Sequence, residues 1–143
     1  MSDSSRSTYT GTAPFLTHAG ARAVLDAALA EAARTGVPEN VAVVDGGGHL
    51  VAFGRSDGAR IASISIAITK AVSAATRMRA TAEEGGGDML ATIRSALAAD
   101  SMTGIGGGIP LAVNGHVVGA IGVSSGTIDE DVAVAKAGAA ALA

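Results

Sequence analysis

Lys70 sits in the run AITKAVSAA, where its near neighbours are apolar or small and no opposite charge is close in sequence. A lysine in such a stretch either snorkels to the surface along its own stem or faces an enclosed acid. Two carboxylates are the obvious partners: Asp57, in the turn over residues 55–58, and Asp131, near the start of the last helix. Two readings follow. In the first, Lys70, the backbone of Gly107 and Gly108, and Ser124 surround a small carboxylate, with Asp131 close by. In the second, Lys70 bridges Asp57 or Asp131 and fixes helix against hairpin. The first reading admits a cofactor-independent enzyme acting on a carboxylated metabolite, an isomerase, lyase or hydratase. Lys70 would then be the anion anchor, and Asp57 or His49, with Asp45 nearby, the acid/base, since such catalysis needs only well-placed groups of suitable pKa.

Other chemistries are excluded by what the chain lacks. It has no cysteine, so disulfides and thiolate metal sites are ruled out. No H-E-x-x-H or paired-histidine spacing suggests zinc, and no serine triad is readable, no serine being read in a G-x-S-x-G. The stretch TGIGGGIPLAVNGHVVGAIGVSSGT superficially resembles a phosphate loop. A dinucleotide fingerprint, however, places its glycines after a strand and at the opening of a helix. Here the glycines precede a strand, Pro110 follows at once, and no G-K-[ST] supplies a Walker lysine. The glycines are therefore expected to serve geometry: a tight entry at residues 106–108, and close backbone approach at Gly119 and Gly122. A bare backbone of this kind also makes a pocket floor able to accept an anion. A net charge of −3, one Tyr, two Phe and no Trp argue against nucleic acid.

These residues need elements to position them. The polar first fifteen residues read as a disordered arm, and residues 16–143 as a single domain. The arm has no apolar h-region, and no apolar run is long enough for a membrane span, so a cytoplasmic location is expected. Apolar residues recur near period 3.6 from Leu16, with Thr17 as cap and Gly36 then Pro38 as the stop. NVAVVDGGGHLVAFGRSDG reads as two strands around a glycine turn. ARIASISIAITKAVSAATRM alternates like a strand at Ile64, Ile66 and Ile68, yet its length and alanine content favour a helix. A T-x-x-E capping signal stands at residues 81–84 but is promptly interrupted by the glycines at 85–87, and DMLATIRSALAA, residues 88–99, reads as a shorter helix. Asn114-Gly115 between apolar runs predicts a hairpin with a type I′ turn. Thr127 and Glu130 form a capping box for the last helix, with acids at its positive end. The order α-ββ-α-α-ββ-α predicts an α+β fold, an antiparallel sheet of two β-hairpins with flanking helices. An apolar share of 48% with few aromatics leaves apolar surface for a homo-oligomer, dimer or higher, to cover.

Several stretches then fall together in a familiar order. VAVVDGGGHLVAFGRSDGA, SISIAITKA, GGGIPLAVNGHVVGAIGVSSGT and DEDVAVAKAG closely resemble the GlcG/HbpS-like family of haem-binding proteins. The same module forms the C-terminal domain of some PduO-type cobalamin adenosyltransferases. The resemblance implies a profilin- or PAS-like fold, oligomers, and haem or another planar anionic small molecule as ligand. It also makes His18 the best candidate for an iron ligand, because some haem-binding relatives place an axial ligand at a helix start. Arg55, Arg60, Lys70, Arg77 and Arg79 are candidates to meet propionates, while His116 is read as an exposed hairpin residue. Two departures stand out: Ser124-Ser125-Gly126 replaces the usual S-G-G, and Ser56 follows Arg55 where Met is common.

Overall fold

A computed structural model describes residues 8–82 and 102–143. Helix α1 spans His18–Thr35, followed by strands β1 (Asn40–Asp45) and β2 (Leu50–Arg55) and helix α2 (Ser63–Arg77). Strands β3 (Gly108–Val113) and β4 (His116–Ser124) lead to helix α3 (Ile128–Ala139) and a 3₁₀ turn at Ala140–Leu142. The helix expected at residues 88–99 lies outside the described residues. The remaining elements form the expected α+β arrangement of two hairpins and interleaved helices.

The local signals act where the sequence places them. Thr17 Oγ1 accepts the Gly20 N–H at 3.0 Å, and Gly36 ends α1 with a left-handed φ of 73°. Asn114 and Gly115 take positive φ of 51° and 76°, which a type I′ turn requires. The Thr127–Glu130 capping box is complete, both of its hydrogen bonds being present. The T-x-x-E signal runs out of the described residues at its glutamate, but its threonine is placed. Thr81 is buried, and its hydroxyl donates to Ile105 O at 2.7 Å and accepts Gly108 N–H at 3.1 Å. It pins the glycine loop, because a distant backbone offers it both a donor and an acceptor.

The strands run in the order β2-β1-β4-β3, all antiparallel, so the two hairpins join through β1 and β4. Alternation along β1 splits the core. Val41 and Val43 join Ile121 and Val123 beneath α1 and α3, while Ala42, Val44 and Ala120 face α2. On α2 it is Ala67, Ala71, Ala74 and Ala75 that are buried against the sheet. The isoleucines that suggested a strand lie to the side, and Ile66 is exposed. Gly122 explains this choice, since a Cβ there would stand 2.0 Å from Ala67 O. The helix thus meets the sheet backbone to backbone, and where it crosses Gly122 the seam is lined by alanine.

Candidate functional site

Lys70 projects from the sheet-facing side of α2 past the end of β4 and is 1% exposed. Its Nζ donates to Val123 O at 2.8 Å and to Asp131 Oδ2 at 3.0 Å. Asp131, in the first turn of α3, is 3% exposed, and its Oδ1 accepts the Gly126 N–H at 3.0 Å. Gly107 makes room for this arrangement. Its φ is 124°, and a Cβ on it would meet Val123 O at 2.6 Å and Lys70 Nζ at 3.0 Å. Of the two carboxylates considered for Lys70, the structure selects Asp131. The acid facing the lysine is therefore the chain's own.

A third member was missed by the sequence reading. Glu39, just before β1, is completely buried on the α1/α3 face beside Asp131. Its carboxyl is pushed up to about 8, first by burial and then by the hydrogen bond and charge of Asp131, with Gly126 and Lys70 pulling the other way. As a carboxylate, neither of its oxygens has a well-formed hydrogen bond, the nearby Gly126 N–H being directed at Asp131 Oδ1; as the acid it has Asp131 to donate to. The trio is then neutral as a whole. A visible signal existed, for Pro38-Glu39-Asn40 places two polar side chains at the mouth of the strand NVAVVD.

The other expected residues are dispersed. Asp57 is exposed and lines a separate crevice with Gly36, Val37, Pro38 and Ser56. His49 is exposed after the β1–β2 turn, where Asp45 Oδ1 accepts the Gly47 and His49 amides at 2.9 and 3.0 Å. Arg55 is exposed at the end of β2. Gly108 opens β3 against the Lys70 backbone, where a Cβ would meet Lys70 O at 2.4 Å. Ser124 is buried in the last rung of β4, opposite Asn40. Lys70, Gly107, Gly108 and Asp131 thus come together, whereas Asp57, His49 and Arg55 stand elsewhere. Among the described residues, no three His, Asp or Glu gather as a metal site.

One expectation is corrected by the chain itself: Gly122-Val123-Ser124-Ser125-Gly126 does have G-x-S-x-G spacing, at a strand-to-helix turn, the setting in which that motif exposes a nucleophile. The geometry differs here. Ser124 is enclosed, and Ser125 is the residue with positive φ, at 136°. Its hydroxyl accepts the Arg60 N–H at 3.0 Å, and its carbonyl accepts from the Arg60 guanidinium. His116 stands at the opposite end of β4, roughly 25 Å away along the strand.

An open cleft of about 400 Å³ lies between α1 and β2. His18 and Arg22, one helical turn apart, share it with Leu25, Asp26, Leu29, Ala52, Phe53 and Gly54. The Arg22–Asp26 pair spans 3.7 Å and is exposed, so the guanidinium is held loosely. A second cleft, of about 480 Å³, has His116, Met78, Phe15 and Val51 among its lining residues.

The family model described as haem-degrading protein, HbpS-like, matches residues 16–140. The chain belongs to this HbpS-like family. GlcG of Escherichia coli K12 is 38% identical over 105 residues, which is 73% of this chain and 77% of GlcG. The crystal structure of a double mutant of Streptomyces reticuli HbpS matches with a TM-score of 0.84 at 31% identity, covering 96% of this chain and 94% of that one. A PduOC:heme complex matches with a TM-score of 0.77 at 25% identity, covering 90% of this chain and 95% of that one. The α+β architecture of this HbpS-like chain is thus shared with those structures. Among the described residues, no helix is long and apolar enough to cross a membrane.

Proposed function

We propose that this chain is a small-ligand-binding protein whose guest is haem or another planar anionic molecule, held in the cleft between α1 and β2. The observation that carries the reading is that His18 and Arg22 line one cleft together with Leu25, Leu29 and Phe53, with Asp26 beside them. The donor set fits the group. An imidazole is an ordinary axial ligand for haem iron, a guanidinium matches a propionate bidentately, and Leu25, Leu29 and Phe53 supply apolar wall. When bound, haem would supply iron redox and ligand-exchange chemistry; the chain's own work is to hold and orient it. The haem complex of the PduOC neighbour supports the reading.

Lys70 supports this function indirectly, since its ammonium is already bonded to Asp131 and Val123 O. Assembly as a homo-oligomer belongs to the same proposal, because the cleft is open and Leu50, Ile61 and Met78 expose apolar surface. A cytoplasmic location completes it. Titration of the purified protein with haemin is expected to give a sharp Soret shift saturating at one equivalent, lost in His18→Ala. A shift that persists unchanged in that variant would remove His18 from the site, and no specific shift at all would remove haem.

A further inference from the structure

Among the described residues, Glu39 is a fully buried acid with no well-formed hydrogen bond to either carboxylate oxygen. It faces the turn between β4 and α3. The groups around it are Asp131 from α3, Lys70 from α2 and the Gly126 amide of the turn. Asp131 takes the hydrogen bonds that meet full geometry, the Gly126 N–H on Oδ1 and the Lys70 ammonium on Oδ2, although the Gly126 amide also lies near Glu39. Glu39 is left with Asp131 itself, and two carboxyl groups hold such a contact only by sharing a proton.

The backbone beside this contact is strained. Ser125 holds a φ of 136°, a region that suits glycine and that an L side chain rarely adopts. Gly126 next to it is hemmed in, for a Cβ there would stand 3.0 Å from Glu39 Oε1 and 3.1 Å from Asp131 Oδ1. Arg60 clasps Ser125 on the outer side through its N–H and its guanidinium. Two clasps therefore hold one strained turn: Arg60 outside, and the acid pair within.

We propose that the Glu39–Asp131 contact is a proton-operated latch on residues 124–127. It is closed while the two carboxyls share a proton and opens locally, with Ser125 relaxing and Arg60 released, when that proton is lost to solvent. In the closed state Lys70 balances Asp131 and the trio is neutral. Proton loss leaves two carboxylates against one ammonium in an enclosed space, and opening admits water to the extra charge. The enclosed acid holds its proton up to about pH 8, against 4.5 for a free glutamate. The open fraction therefore rises with pH across that window, by up to about tenfold per unit, and levels off above it.

Amide hydrogen exchange, corrected for its intrinsic pH dependence, tests the latch. The Gly126 and Thr127 amides are expected to exchange through an opening that is nearly independent of urea, because a local opening exposes little surface. Their protection should fall as pH rises from about 5 to 8 in the wild type and stay flat in Glu39→Gln. Should Glu39→Gln not fold, Ser125→Gly serves instead: it alters the strain and the Arg60 clasp but leaves the acid pair, so the level of local exchange should shift at every pH while the slope is kept. Exchange that follows the Val43 and Ile121 amides in urea dependence, a slope retained in Glu39→Gln, or a slope lost in Ser125→Gly would overturn the proposal.

Discussion

Lys70 on α2 and Asp131 on α3, 61 residues apart in sequence, meet at 3.0 Å although their helices cover opposite faces of the sheet. The bond passes the end of β4, through the space that Gly107 leaves vacant. It stitches the two helical layers across the strand that joins the hairpins. Removing one partner leaves the other charge buried alone. Lys70→Met and Asp131→Leu are each expected to cost about 3–5 kcal/mol in urea unfolding, and the double variant much less than their sum. Equal losses adding in full would mean that the two side chains act independently.

Glu39 ties stability to pH with a definite sign. Its folded-state value of about 8 lies above the ordinary 4.5, so the folded chain binds the extra proton between those values. The contribution is fully present below about pH 4.5 and is lost as pH rises through 8. Unfolding free energy should fall across that window by up to about 1.4 kcal/mol per pH unit, apart from contributions of other groups. Glu39→Gln should flatten the slope. Chemical denaturation at several pH values reads both.

Ser125 is the place where a substitution should help. Glycine accepts a φ of 136° without strain, and the relief outweighs the added freedom of the unfolded chain. Ser125→Gly is expected to raise stability by roughly 1 kcal/mol, visible as a higher urea midpoint at unchanged slope. Loss of the Arg60 bond to the hydroxyl works against this gain, so a drop in the midpoint would show that bond to be the stronger effect.

Gly122 tests the alanine seam. A methyl group there would collide with the α2 backbone at Ala67 O and Ala71 N, neither of which is the end of a flexible side chain. Gly122→Ala should cost at least the roughly 1–3 kcal/mol typical of overpacking and shift the melting temperature accordingly. Gly11, with nothing within 4 Å of its Cβ position, is the control and should tolerate alanine.

Arg22 tests the ligand reading without touching the iron. Arg22→Ala should weaken haemin binding by about tenfold, the worth of one charge-assisted contact, while leaving the shape of the Soret band unchanged. Equilibrium titration by absorbance distinguishes this from the loss of the band expected in His18→Ala.

Much of the architecture could be read from local chemistry. Asn114-Gly115, Thr17 and the Thr127–Glu130 box each specify backbone geometry within four residues, so the elements they bound were legible. The Lys70 partner was narrowed to two acids and no further, because the choice depends on which face of the sheet each element covers. Glu39 escaped notice since its environment comes from the β4–α3 turn, more than eighty residues later in the chain. The role of Thr81 was hidden for a related reason: its hydroxyl bonds the loop preceding β3, more than twenty residues later in the chain. Short-range patterns carry element boundaries, and enclosure is a property of the whole assembly.

The walling-in of Lys70 has a practical side. Lys70 and Lys136 are the chain's two lysines, and Lys136 stands exposed on α3. In the native protein, an amine-directed reagent therefore finds one side chain to modify besides the terminal amine. A second tagged lysine in the peptide map would be a direct marker of molecules that have come apart.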